Sequence, residues 1–157
     1  MDVESRVTAL QACALFENVP TADLAALAET MHEEYFARGE LVCKQGEPAD
    51  RVFIVLSGNL EVRLAGSPGH TSRLQHGELF GEYGLFAEGV RTATVVSADE
   101  SVLLTLDYDR FRAFLLMFPE ATLAIMEATV QRLLNAQRRA EPDGPLPLSG
   151  QPVIVGG

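Results

Sequence analysis

From Glu33 to Leu106 the chain is a series of short apolar runs cut by turn residues, and this punctuation constrains the fold more than any other feature. The breaks fall at Arg38-Gly39-Glu40, Gly46-Glu47-Pro48, Ser57-Gly58-Asn59, Gly66-Ser67-Pro68-Gly69 and His76-Gly77-Glu78. Turn signals about every eight to twelve residues predict an antiparallel sandwich or barrel with jelly-roll-like connections. Val52-Phe53-Ile54-Val55-Leu56 is apolar throughout and is predicted to be the most buried strand.

Helical spacing flanks this region on both sides. Val3 to Leu15 is Ala-rich, and Thr21 offers an N-cap with Asp23 in the first turn behind it. Leu24, Leu27, Ala28 and Met31 then form an amphipathic stripe. Beyond the strands, Asp107 is a second candidate cap, followed by Phe111, Phe114, Leu115 and Phe118 at helical spacing. Pro119 ends that helix and suits the first turn of the next, which runs to about Arg139. Within it Leu123, Met126, Val130, Leu133 and Gln137 step by 3, 4, 3 and 4 residues, a short heptad seam. The seam suits either packing on the chain's own barrel or a two-helix homodimer contact through residues 119–139. The expected fold is therefore mainly β with flanking α: helices over about 3–31, a barrel over about 33–106, and two C-terminal helices over about 107–139. Residues 140–157 read as a Pro/Gly-rich linker or disordered tail. The closing Val153-Ile154-Val155-Gly156-Gly157 also matches the opening of a dinucleotide-binding unit, so a longer flavin- or nicotinamide-dependent enzyme is an alternative.

A chain of 157 residues suits one domain with a real core. Its net charge of −10 argues against sequence-independent nucleic-acid binding and against anionic membrane surfaces. No apolar run approaches bilayer length, and Cys13 and Cys43 lack a paired spacing, so a soluble cytoplasmic protein with reduced thiols is expected.

The chemistry concentrates in Phe80-Gly81-Glu82-Tyr83-Gly84-Leu85-Phe86-Ala87-Glu88-Gly89-Val90-Arg91-Thr92-Ala93-Thr94. One carboxylate and one guanidinium stand nine residues apart around a glycine-punctuated segment. Arg91 can fork onto phosphate oxygens, Glu82 can accept from a sugar hydroxyl, and the glycines let backbone N–H groups come close. Such a turn adds positive potential for an anion. Each residue also has a plainer use: Arg91 in a surface ion pair with Glu88, Glu82 as a cap of the short helix after it, Gly81 and Gly84 as turn formers.

This segment closely resembles the phosphate-binding cassette of the cyclic nucleotide-binding domain family, which includes catabolite-activator and protein kinase A regulatory-subunit sensors. The resemblance runs over roughly residues 10 to 138 and includes Gln45 to Val62, which is similar to the family's second and third barrel strands. It implies a regulatory sensor of cyclic AMP or cyclic GMP, with no cofactor and no catalytic residue. Glu82 falls at the family's ribose-binding position and Arg91 at its cyclic-phosphate position, with Gly81, Tyr83, Gly84, Thr92 and Ala93 completing the ligand site. Tyr83 departs from the usual aliphatic residue, and Val90 from a frequent Pro. A hydroxyl at Thr92 is common where guanine is tolerated, which keeps both purines open. The base is expected to be covered by the last helix, where Arg132, Asn135, Gln137, Arg138 and Arg139 are available; Arg138 and Gln137 are the named candidates. Ligand binding would swing the helices after Asp107 and signal to a downstream effector.

Other classes fit less well. A metal-dependent barrel enzyme needs two or three converging histidines, and His32, His70 and His76 lack the paired spacing. Ser57 and Ser72 have no His and acid at recognisable offsets. A catabolite-activator type of transcription factor would need a helix-turn-helix after the long helix, and these residues hold none. A barrel without ligand, serving as a protein-interaction module, would be expected to have replaced Glu82 or Arg91.

Overall fold

The structure, a computed structural model, describes residues 1–63, 71–82 and 89–139. Among them, eight strands form two four-stranded antiparallel sheets. The first has the order β1 (His32–Phe36), β8 (Ser101–Asp107), β3 (Arg51–Ser57), β6 (Leu79–Phe80). The second has the order β2 (Leu41–Cys43), β7 (Thr94–Ser97), β4 (Leu60–Arg63), β5 (Thr71–Leu74). Neighbours that are distant in sequence, such as β1 with β8 and β2 with β7, give the jelly-roll character that the turn spacing predicts. Gly39, Gly46, Gly58 and Gly77 all have positive φ, so four of the breaks are true left-handed turns. At Gly58 a Cβ would lie 2.7 Å from the Cα of Ser101, so that turn tolerates no side chain. The turn at 66–69 lies outside the described residues.

The β3–β8 pair is buried on both faces by two separate cores. Val52, Ile54, Leu104 and Leu106 join the N- and C-terminal helices in one cluster. Phe53, Val55 and Leu103 face the barrel interior with Phe36, Leu60, Phe80 and Val95. Alternation along a strand sends neighbours to opposite faces, and here each face finds an apolar partner. This is why β3 reads as a continuous apolar run.

The helices are α1 (Val3–Gln11), a 3₁₀ turn (Ala14–Phe16), α2 (Thr21–Ala28), α3 (Tyr108–Met117) and α4 (Pro119–Arg139). The Ala-rich N-terminal segment is helical to Gln11 and then turns through Ala14–Phe16, where Leu15 and Phe16 are buried. Pro20, and not Thr21, holds the cap position of α2; the Thr21 hydroxyl instead accepts from Gln11 Nε2 at 3.3 Å. Leu24, Leu27, Ala28 and Met31 are all buried, as the stripe requires. Asp107 does precede α3, without a side-chain capping bond. Pro119 opens α4, which bends from α3 by 115°. Among the described residues no single helix is long and apolar enough to cross a membrane.

The seam on α4 does not pack on the barrel. Leu123, Met126, Val130 and Leu133 are 55–58% exposed, whereas Ala121 and Ile125 are buried against the helical core. Residues 121, 125, 128 and 132 share one face of a helix with 3.6 residues per turn, and the seam lies on the opposite one. Residues 140–157, and with them the expected tail and the Gly-Gly end, lie outside the described residues.

Candidate functional site

The site begins where β6 ends. Gly81 has a φ of +90°, and a Cβ there would stand 2.7 Å from Arg91 Nη1 and 3.1 Å from the Arg51 carbonyl oxygen. Glycine is needed at this point because an arginine side chain and a backbone carbonyl occupy the space. The Tyr108 hydroxyl donates to the Gly81 carbonyl, fixing its direction.

Two turn segments far apart in sequence are stitched together beside it. The Gly46 N–H donates to the Arg91 carbonyl at 2.9 Å, and the Arg91 N–H donates to the Glu47 carbonyl at 2.9 Å. The Ala49 N–H donates to the Gly89 carbonyl at 2.8 Å. These bonds set the backbone of Arg91 on both sides and carry its side chain inward, where the residue is 7% exposed. Its Nη2 lies 3.7 Å from Asp50 Oδ1, and its guanidinium carbon lies 5.2 Å from the Phe53 ring centroid. Its Nη1 is buried and has no hydrogen-bond partner among the described residues. Leaving such a donor unmade costs about 1–3 kcal/mol or more for a charged group, so this atom calls for an acceptor.

Glu82 follows Gly81 and is 6% exposed. Arg132, on the buried side of α4, donates from Nη1 to its Oε2 at 3.0 Å. Arg91, Glu82 and Arg132 all border one cavity of about 290 Å³. Val62, Leu74 and Val95 add apolar surface to the same cavity, and Ser72 and Thr92 also line it. A guanidinium with no acceptor at Nη1 among the described residues, a carboxylate and apolar side chains around one cavity suit an anionic, hydroxyl-bearing, partly aromatic molecule. Burial pushes the Cys43 thiol at the cavity wall up from its ordinary value, with Arg91 pulling against it. The Tyr108 phenol is also raised by burial, again opposed by Arg91.

Of the residues expected from sequence, Gly81, Glu82, Arg91, Thr92 and Ala93 come together around this cavity. Tyr83 and Gly84 lie outside the described residues. Gln137 and Arg138 are not among the lining residues; Arg132 is the α4 side chain that reaches the cavity. The residue lies about 140° around the helix from Gln137 and about 120° from Arg138, so one helix cannot point all three at the same site. Sequence reasoning missed Asp50, Tyr108 and Phe53 as supports of Arg91 and Gly81. Asp50 and Tyr108 each adjoin a buried strand, the one preceding β3 and the other following β8, which is the available signal.

Comparison with known proteins places the chain. Residues 33–117 match the cyclic nucleotide-binding domain family, and the protein belongs to it. A CRP-like cAMP-activated global transcriptional regulator from Mycobacterium tuberculosis is 28% identical over 122 residues, covering 76% of this chain and 54% of that protein. A cGMP-dependent protein kinase, isozyme 1, from Drosophila melanogaster is 33% identical over 116 residues, covering 70% of this chain and 15% of the kinase. The chain thus spans about half the length of the mycobacterial relative and less of the kinase. Among solved structures, the N-terminal domain of a transcriptional regulator from Streptomyces coelicolor has a TM-score of 0.70 at 30% identity, covering 91% of this chain and 99% of that one. The regulatory subunit of a cAMP-independent protein kinase A from Trypanosoma brucei also has a TM-score of 0.70, at 18% identity, covering 82% of this chain and 46% of that one. That last likeness shows the fold alone.

Proposed function

We propose that this domain binds a cyclic purine nucleotide, cyclic AMP or cyclic GMP, as a regulatory ligand, and acts as a cytoplasmic sensor without catalytic activity. The observation that carries the reading is that Arg91 lines the cavity and its buried Nη1 has no hydrogen-bond partner among the described residues. A cyclic phosphate supplies that acceptor and the negative charge the guanidinium prefers. Glu82 accepts from the ribose 2′-hydroxyl, and backbone groups around Gly81 approach the phosphate, with Tyr83 and Gly84 assigned to the same cassette. Thr92 and Ala93 border the purine, which lies against Val62, Leu74 and Val95. The names of the relatives point to both ligands, one cAMP-activated and one cGMP-dependent.

The ligand shifts a two-state equilibrium of α3 and α4 by the difference in its affinity for the two states. The exposed stripe Leu123, Met126, Val130 and Leu133 supports a homodimer through α4 as the next element in the relay. The regulated effector is assigned to a further chain or to sequence after residue 157. No nucleic-acid contact is assigned to these residues, whose net charge is −10.

Calorimetric titration of folded, nucleotide-free protein with cyclic AMP and cyclic GMP tests the reading. Binding at micromolar concentration or tighter is expected, with Arg91→Ala weakening it by about 2–5 kcal/mol, roughly thirty-fold or more. No heat from either nucleotide would overturn it.

A further inference from the structure

The cavity also holds a thiol that nucleotide binding leaves without a use. Cys43, on β2, is a free cysteine, half-buried, and lines the cavity together with Arg91 and Ala93. Its Sγ lies 3.8 Å from the Ala93 carbonyl oxygen, a weak contact that leaves the sulfur available. The second cysteine, Cys13, is 3% exposed in the helical core, so the chain carries one reachable thiol and one shielded thiol. What sets Cys43 apart is the cation beside it. Arg91 is 7% exposed, and its buried Nη1 has no hydrogen-bond partner among the described residues. That nitrogen stands against Gly81, itself a lining residue, so an anion that reaches it shares a space of about 290 Å³ with Cys43. Burial raises the thiol, Arg91 pulls it down and Glu47 pushes it up, so a reagent arriving from bulk water meets a weak nucleophile. A reagent already held by Arg91 meets the same sulfur at a high effective concentration. The chain as a whole carries a charge of −10, which makes this cavity a local exception to a field that repels anions.

We infer that Cys43 is a modification site for small disulfides that carry carboxylate groups, selected by Arg91, and that the adduct shuts an anionic ligand out of the cavity. A carboxylate of the reagent docks on Arg91, Cys43 loses its proton to water, and the thiolate attacks one sulfur of the disulfide. The reagent's S–S bond breaks, a mixed disulfide forms on Cys43, and the other half leaves as a thiolate. Cys43 is oxidised and the departing sulfur is reduced, so the exchange balances without a further oxidant, and an added thiol reverses it. The exclusion of ligand rests on the cyclic-nucleotide reading; the modification itself does not.

Wild type, Cys43→Ser and Arg91→Gln, with folding checked by melting curves, are treated with an anionic sulfonatoethyl thiosulfonate, its cationic trimethylammonium counterpart and glutathione disulfide. Mass spectrometry locates the adducts. With rates divided by those of free cysteine, Cys43 is expected to react about tenfold faster with the anionic reagent than with the cationic one. Arg91→Gln should remove that preference, and Cys13 should stay unmodified throughout. A second measurement needs no variant: inorganic phosphate should slow the anionic reagent on wild type and leave the cationic one unchanged. Glutathione disulfide should add to Cys43, and the purified adduct should no longer bind cyclic nucleotide until a reducing thiol releases it. Faster reaction with the cationic reagent, a preference that survives Arg91→Gln or phosphate, or no glutathione adduct would each overturn the inference. Nucleotide binding as well to the adduct as to wild type would overturn the exclusion. Wild type that is modified as expected but binds neither nucleotide would overturn the cyclic-nucleotide reading and leave the modification site standing.

Discussion

The floor of the cavity and the helix that reaches over it are built in opposite ways. The floor is set by backbone: three hydrogen bonds join 46–49 to 89–91, and Gly81 sits where no side chain fits. The far helix is set by side chains: Ala121 and Ile125 anchor α4, and Arg132 ties it to Glu82. Backbone stitching fixes a position to a fraction of an ångström, whereas a helix held by a few side chains can shift between packings.

The largest expected departure comes from the anchor of α4. Ile125→Ala should lower stability by about 2–5 kcal/mol, read from the denaturation midpoint, since a fully packed side chain would leave a cavity. A much smaller loss would mean that α4 is scarcely fastened. Next, Gly81→Ala should cost about 1–3 kcal/mol through its positive φ and displace Arg91, weakening ligand binding with it. If affinity were unchanged, the floor would be less rigid than its bonding implies. Tyr108→Phe should cost about 1 kcal/mol for the lost bond to Gly81.

The Tyr108 change also has a pH signature. Burial raises the phenol above its ordinary 10.0, against the pull of Arg91, so the folded state keeps a proton that the unfolded chain releases. Its contribution is intact below about pH 10 and is lost as pH rises through the higher folded value. Denaturation midpoints measured across that range should fall less steeply for Tyr108→Phe. The smallest effect is expected at Val130→Ala on the exposed face, within about 0.5 kcal/mol for a lone protomer. A larger effect that grows with protein concentration would show that this face is covered by a second copy.

Much of the barrel was legible in the sequence because its signals are local. Glycines at 39, 46, 58 and 77 mark left-handed turns, Val52 to Val55 mark the buried strand, and Pro119 marks the start of the last helix. Gly81, Glu82 and Arg91 were legible for the same reason, standing close together in one segment. What the sequence hid depends on contacts between distant parts. Arg132 lies fifty residues from Glu82, and the 115° bend before α4 decides which of its polar residues meets the cavity. Periodicity found the stripe at Leu123 to Leu133 but could not say which of two apolar faces the barrel would take. The bond from Gly46 to Arg91, and with it the stitching of the floor, has no signature in either segment alone.

The β3–β8 pair works as a bulkhead between two compartments. Ile54 and Val55 are neighbours in the chain, yet one belongs to the helical core and the other to the barrel interior. Substitutions in the two compartments share few partners, so their effects should combine almost independently. Apart from Leu79, Tyr108 and Arg132, which line the cavity, the helical layer can therefore drift in sequence, trading volume among its own members, while the barrel interior is left largely undisturbed. A lineage could retune the helical layer without having to rebuild the barrel beneath it.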